Sequence, residues 1–278
     1  MKLLKIIGMF LLAIVIMGLA NGVASLCDAL IPFLGIGVIL MAVVYIALAF
    51  VTVRFFIKKI LKDKLIAYRI TPPRIQMKFI LLGIGLSIFV YAIYLIFVPG
   101  DFKVHHFNSI HHTLHTLFWP IFVQAMAGAF VEELVCRGLL MGYIEKKTNI
   151  KVAIISTAIF FAVLHLFNGA LNVSSFFLLL ISGSLVGIMF GLATYKANTI
   201  WASITLHFFW NIFQVLHITE KQSNYNIWEY VVRNHNMAIT GGQFGYEVSL
   251  ISIIGYLIVI FILLKQPKVI TTKRFLNS

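Results

Sequence analysis

Two adjacent glutamates, Glu132 and Glu133, interrupt a long apolar run, and Arg137 follows four residues after the second. Two later apolar stretches carry one histidine each: His165, four residues after Phe161, and His207, four residues before Asn211. A desolvated carboxylate can take a proton from water, with an imidazole orienting it or sharing the proton. A second imidazole and an amide can donate hydrogen bonds to a developing oxyanion. The same Glu132, His165 and His207 could instead hold a divalent metal such as zinc, whose catalytic sites use three protein ligands plus water. Taken singly, each histidine fits a structural polar network that locks helices together. Taken as a set, acid, imidazoles and amide favour chemistry.

Helical spacing decides which groups can face each other. Glu133 and Arg137 are an i,i+4 pair in the favourable acid-first order. That pairing leaves Glu132, turned by about 100° on the same helix, free to face elsewhere. His207 and Asn211 share a helix face, as do Phe161 and His165. An ionised side chain at the bilayer centre costs at least about 2.5–3.5 kcal/mol, so acids and arginine in lipid need partners, water or a task.

The elements that must position these groups are membrane helices. The 278 residues are 61% hydrophobic and only 11% charged, against roughly 25% charged in soluble domains. Long continuous apolar runs, without strict alternation, exclude a β-barrel and predict an all-α, polytopic bundle of about eight transmembrane helices. The segments run near 4–25, 31–53, 79–98, 114–144, 152–168, 175–195, 199–218 and 248–264. The fourth is long enough that it must tilt, bend or extend beyond the lipid. The first also resembles a secretory signal with a small-residue end; retention as a spanning helix is the reading adopted. Three regions follow: 1–112 with helices 1–3 and a basic loop, 113–218 with the polar set in helices 4–7, and 219–278 with a polar external loop and the last helix.

The net charge of +13 is a topology signal. All of the 22 Lys and Arg residues except Lys103, Arg137, Lys221 and Arg233 fall on one side if both termini, including Lys273 and Arg274, are cytoplasmic. This distribution argues against a nucleic-acid partner and for attraction to anionic lipid. It also sets a depth scale. At ~1.5 Å per residue, Glu132 lies ~21 Å from Lys146, His165 lies ~21 Å from Lys151, and His207 and Asn211 lie ~16 and ~22 Å from Lys196. Three helices place their polar side chains in one slab.

These residues also carry a family resemblance. Glu132-Glu133-Leu134-Val135-Cys136-Arg137 resembles the EExxxR motif of the CPBP family, the CAAX-protease and bacteriocin-processing (Abi) intramembrane proteases. Phe161 to His165 is similar to its FxxxH motif, and His207 to Asn211 to its HxxxN motif. Each motif alone is weak; the ordered set, from about Ile121 to Leu216, is specific. The resemblance implies that Glu132 and His165 activate water, His207 and Asn211 stabilise the oxyanion, and Glu133, Arg137 and Phe161 support the site. It leaves both a glutamate-type and a metal-dependent scheme open. The chain lacks the HExxH signature of zincins, and the expectation leans to no tightly held metal.

Other features have plainer readings. His105, His106, His111, His112 and His115 form an external cluster that reads as a histidine-rich interfacial loop more than as a metal site. Gly183, Gly187 and Gly191 form a small-residue stripe suited to close helix packing. Trp119, Trp201, Trp210 and Tyr195 read as anchors or packing aromatics, with Trp210 able to touch the pocket. Asn168 and Asn172 read as capping residues, and Cys27 and Cys136 as unpaired thiols with no nucleophilic role. The function expected is an intramembrane endopeptidase of a bacterial cytoplasmic membrane, acting on a membrane-associated protein or peptide. CAAX-type processing, leader-peptide maturation and bacteriocin self-immunity are all open. A non-enzymatic immunity or scaffold protein is the alternative, followed by a proton-coupled transporter.

Overall fold

The structure, a computed structural model, describes residues 2–31, 33–168, 172–223 and 225–269. Lys273 and Arg274, counted above with the basic face, lie outside the described residues. The helices are α1 (Lys2–Leu30), α2 (Ile36–Phe55), α3 (Met77–Phe97), α4 (Ile110–Lys147), α5 (Ile150–Leu164), α6 (Val173–Ala197), α7 (Trp201–Asn211) and α8 (Leu250–Lys265). Side-chain caps start several of them. Asn149 accepts from the Val152 amide, Asn172 from Ser175 and Ser249 from Ser252, each satisfying a first-turn N–H that has no helical partner. Asn172 is therefore the capping residue its position suggested, while the Asn168 side chain lies outside the described residues.

The eight expected spans all appear as helices, but five of them (α1, α2, α3, α4 and α6) are long and apolar enough to cross a membrane. Helices α5 and α8 are shorter apolar helices, and α7 has 11 residues. The physical reason is visible at their ends. Helix α5 passes into a 3-10 turn at His165–Asn168, and α7 into one at Ile212–Val215. Non-helical backbone at membrane depth is tolerated where it lines a polar cavity, and both breaks occur there. Helix α4 is 38 residues long, ~57 Å against a hydrocarbon core of ~30 Å. Its π-helical stretches Trp119–Gly128 and Leu134–Leu140 flank Glu132 and Glu133. Such stretches often mark functional sites.

The bundle is apolar on its outside. Leu11, Leu19, Val51, Leu81, Ile96, Ile258 and Phe261 are exposed, the pattern of a lipid-facing belt. One apolar cluster joins α1, α2 and α4 through residues such as Ala13, Ala42, Tyr45 and Val135. Another joins α3, α6, α7 and α8 through Leu86, Tyr94, Met189, Leu206 and Tyr256. Helices α5 and α6 touch along the glycine stripe: a Cβ at Gly187 would stand 2.7 Å from Ala158 Cα, and one at Gly183 2.9 Å from Ala162 Cβ.

The basic segments meet at one end of the bundle. Arg69 makes a two-pronged contact with Glu145 (2.6 and 3.0 Å), Lys146 pairs with Asp63, and Lys196 donates to the carbonyls of Leu264 and Gln266. The Lys146 hydrogen bond holds the Asp63 carboxyl below the usual carboxylate range.

The other end carries a feature that apolar periodicity did not reveal, a three-stranded sheet. Its strands are β1 (Gly100–Val104), β2 (Leu216–Thr219) and β3 (Trp228–Val232), in the order β1-β3-β2. Strand β3 is antiparallel to β1 and parallel to β2. The expected external loop after Thr219 is thus substantially ordered. The histidine cluster disperses onto this end: His105 contacts Glu229 (3.1 Å), His115 contacts Asp28 (3.0 Å), and His111 accepts the Leu34 amide (3.0 Å). The acids beside these histidines are Asp28 and Glu229, while Asp101 in β1 pairs with Arg233 (2.5 and 3.0 Å). Folding supplies both partners from distant positions in the chain.

Candidate active site

Between the two apolar clusters lies a cavity of about 760 Å³. Glu132 on α4, His165 at the end of α5, and His207 and Asn211 on α7 all line it, with Phe161 and Gly183. Tyr45, Gln124, Phe190, Trp210, Gln214 and Glu247 complete the polar and aromatic wall used below. A smaller cavity of about 310 Å³ adjoins it, sharing Trp119, Gln124 and Gln214 and adding His112, His115 and His217 from the sheet end.

The two glutamates separate as helical geometry requires. Glu133 is fully buried, with Oε1 3.1 Å from Arg137 Nη1 and 3.2 Å from His207 Nδ1. Arg137, also fully buried, donates to the Gly187 carbonyl (3.0 Å) and lies over the Phe161 and Phe190 rings at 4.5 and 5.4 Å. The close α5–α6 approach at Gly187 thus supplies an anchor for the guanidinium. Glu132 instead faces the cavity, its side chain 23% exposed. Its Oε2 is buried without a hydrogen-bond partner and lies 4.0 Å from His207 Nε2.

The imidazoles are fixed by what their other nitrogens touch. His165 Nδ1 lies 2.8 Å from the Phe161 carbonyl, which can only accept, so the proton sits on Nδ1 and Nε2 presents a lone pair. His207 spends Nδ1 on Glu133 and stacks on Phe190 (4.4 Å between ring centres, 20° between planes). Asn211 Nδ2 donates to the Gln124 carbonyl (3.2 Å), which leaves its second N–H for another acceptor. No hydrogen bond or ion pair joins Glu132 to His165. They share the cavity wall, and His207 is the imidazole nearest the acid.

Among the described residues, no three His, Cys, Asp or Glu side chains are placed to hold a metal ion. Cys136 is buried within α4 and does not line the cavity.

Sequence spacing did not reveal Glu247. It sits in the 3-10 turn Tyr246–Val248 ahead of α8, and its Oε1 accepts from Trp210 Nε1 (3.2 Å) and Gln214 Nε2 (2.7 Å). Gln214 also reaches Asn211 Oδ1 (3.5 Å), so Glu247 belongs to the same network as the amide. The available signal was an acid between Tyr246 and Val248, in an apolar context without a basic neighbour.

No curated protein and no solved structure matches the chain. Residues 114–213 match a family model described as Rce1-like, type II CAAX prenyl endopeptidase Rce1-like. That segment contains all three motifs and every cavity-lining group contributed by α4, α5 and α7 named for chemistry above. The chain is an integral membrane protein, and over this segment it is similar to the Rce1-like family of type II CAAX prenyl endopeptidases.

Proposed function

We propose that this chain hydrolyses a peptide bond in a membrane-associated protein or peptide, using Glu132, His165, His207 and Asn211. The observation that carries the reading is the single cavity lined by all four groups, drawn from three helices. Water held at the unpartnered Glu132 Oε2 loses its proton to that carboxylate, with His165 Nε2 accepting a hydrogen bond from the same water. As oxygen attacks the carbonyl carbon, the spare N–H of Asn211 and Nε2–H of His207 meet the oxyanion. With Nδ1 committed to Glu133, His207 can donate from Nε2 only as an imidazolium, which has Glu133 on one side and Glu132 on the other. Glu133, Arg137 and Phe161 hold these groups in place.

CAAX-type processing, leader-peptide maturation and self-immunity by proteolysis share this chemistry. The basic end of the bundle supports an orientation with both termini in the cytoplasm. The test is purified protein in liposomes with candidate peptides, found by comparing peptide termini between cells carrying the native chain and Glu132→Ala. Glu132→Ala, His165→Ala and His207→Ala should each lower cleavage by about 10²–10⁴-fold while the protein still inserts and folds. Normal processing by all three variants would refute the assignment.

A further inference from the structure

Amide hydrolysis moves two protons. One leaves the attacking water, and another must reach the departing nitrogen, because an amide anion is too basic to be expelled at neutral pH. Glu132 accounts for the first. Efficient sites often divide such work between two carboxyl groups held in different environments.

Glu247 has the placement for the second. It opens onto the same cavity as Glu132, from the opposite end of the polar wall's sequence. Its Oε1 is occupied by two donors, Trp210 Nε1 and Gln214 Nε2, whereas Oε2 makes no hydrogen bond among the described residues. Its backbone carbonyl is clamped by Ser182 Oγ from α6 (3.1 Å) and the Tyr256 hydroxyl from α8 (2.8 Å). The carboxyl is therefore fixed, with one oxygen directed to acceptance and the other available to carry a proton.

The surrounding charges point the same way. The pocket and its wall hold three carboxyls, Glu132, Glu133 and Glu247, against one permanent cation, Arg137, already beside Glu133. His165, His207 and Glu132 are the other charged or titratable groups felt by Glu247 across the cavity, and the Tyr91, Tyr246 and Tyr256 phenols pack near it. Burial pushes the Glu247 carboxyl above its usual range, against the opposing pull of His165, His207 and the Trp210 hydrogen bond.

We propose that Glu247 is the general acid of the site, carrying a proton on Oε2 and delivering it to the leaving nitrogen. The inference rests on the endopeptidase reading. Water's oxygen bonds to the carbonyl carbon as its proton passes to Glu132. The C–N bond then breaks, its electron pair stays on nitrogen, and the Glu247 proton joins it. The products are an acid and an amine, and the proton on Glu132 returns through cavity water to Glu247.

Glu247→Gln tests this, because its side-chain oxygen still accepts from Trp210 and Gln214 while its amide cannot supply the proton. With a peptide substrate, kcat should fall about a hundredfold or more, KM should change little, and the part of the alkaline limb set by Glu247 should disappear, leaving that of the His207 imidazolium. An activated aryl ester of the same peptide, whose leaving group departs unprotonated, should be cleaved within about tenfold of the native rate. Unchanged peptide cleavage with the alkaline limb intact, or equal losses on peptide and ester, would overturn the proposal. Glu247→Asp keeps the acid and provides a second measure if the glutamine variant fails to fold: a reduced rate with a retained alkaline limb is expected, and loss of that limb would count against the proposal. Full activity of Glu132→Gln on both substrates would bring down the endopeptidase reading itself, and the general acid with it.

Discussion

Replacing Arg137 by methionine removes a buried cation while keeping most of the side chain's length. Glu133, fully buried and 3.1 Å away, is then left with His207 as its neighbour. Breaking a buried pair by deleting one partner costs about 3–5 kcal/mol. Loss of the cation's position over Phe161 and Phe190 adds about 0.5–2 kcal/mol, for a total of about 3.5–7 kcal/mol. Glu133→Gln alone should cost about 3–5 kcal/mol, because it strands the arginine. The double variant carries neither charge and should cost clearly less than the sum, with a coupling of at least about 2 kcal/mol. Reversible unfolding in mixed micelles, measured for all four proteins, gives the cycle. If the two single effects add within about 0.5 kcal/mol, the buried pair is not a unit and the account of Glu133 is wrong. The same Glu133 oxygen holds His207 Nδ1, so its loss also unfastens that ring.

Two further outcomes follow from packing and charge. Gly187→Ala places a Cβ 2.7 Å from the Ala158 backbone, which cannot yield without separating α5 from α6, and should cost about 1–3 kcal/mol. Gly85→Ala on the exposed face of α3, where a Cβ meets nothing within 4 Å, is the control; equal stability of both variants in thermal unfolding would contradict the close-contact argument. At the sheet end, burial raises the Glu229 carboxyl, but hydrogen bonds from Asn226, Ser223 and His105 outweigh it and hold the group below its ordinary value of 4.5. A depressed folded-state value means that its stabilisation is present above about 4.5 and is lost as pH falls through the lower value. Amide protection in β3, taken relative to the intrinsic exchange rate, should fall on acidification in the native chain and show a smaller pH dependence in Glu229→Gln; identical pH dependence in both would remove Glu229 as the cause.

The helical bundle was legible because its signal is local. Each apolar run names its own helix, and basic residues at the run ends sort the loops onto one face. The polar set was legible for the same reason: rise per residue converts position along α4, α5 and α7 into depth, so Glu132, His165, His207 and Asn211 could be placed at one level from counting alone. The i,i+4 relation of Glu133 to Arg137 also lies within a single helix and survives although Arg137 lies in the π-helical stretch Leu134–Leu140.

What a side chain meets across the bundle is a different kind of information. Spacing could not say that His207 contacts both Glu133 and Glu132 while His165 bonds its own helix at Phe161, because rotation of one helix against another is decided by packing. The dispersal of the histidines onto Asp28 and Glu229, and the assembly of β1, β2 and β3 from two separate connections, likewise depend on contacts far apart in sequence. Glu247 is the sharpest case. It lies beyond the motif-bearing segment, and only the return of the chain beneath α6 and α7 aims its carboxyl at the cavity. Local chemistry specified which groups stood ready at which depth; the tertiary fold, through helix rotation and loop closure, decided which of them line the same cavity.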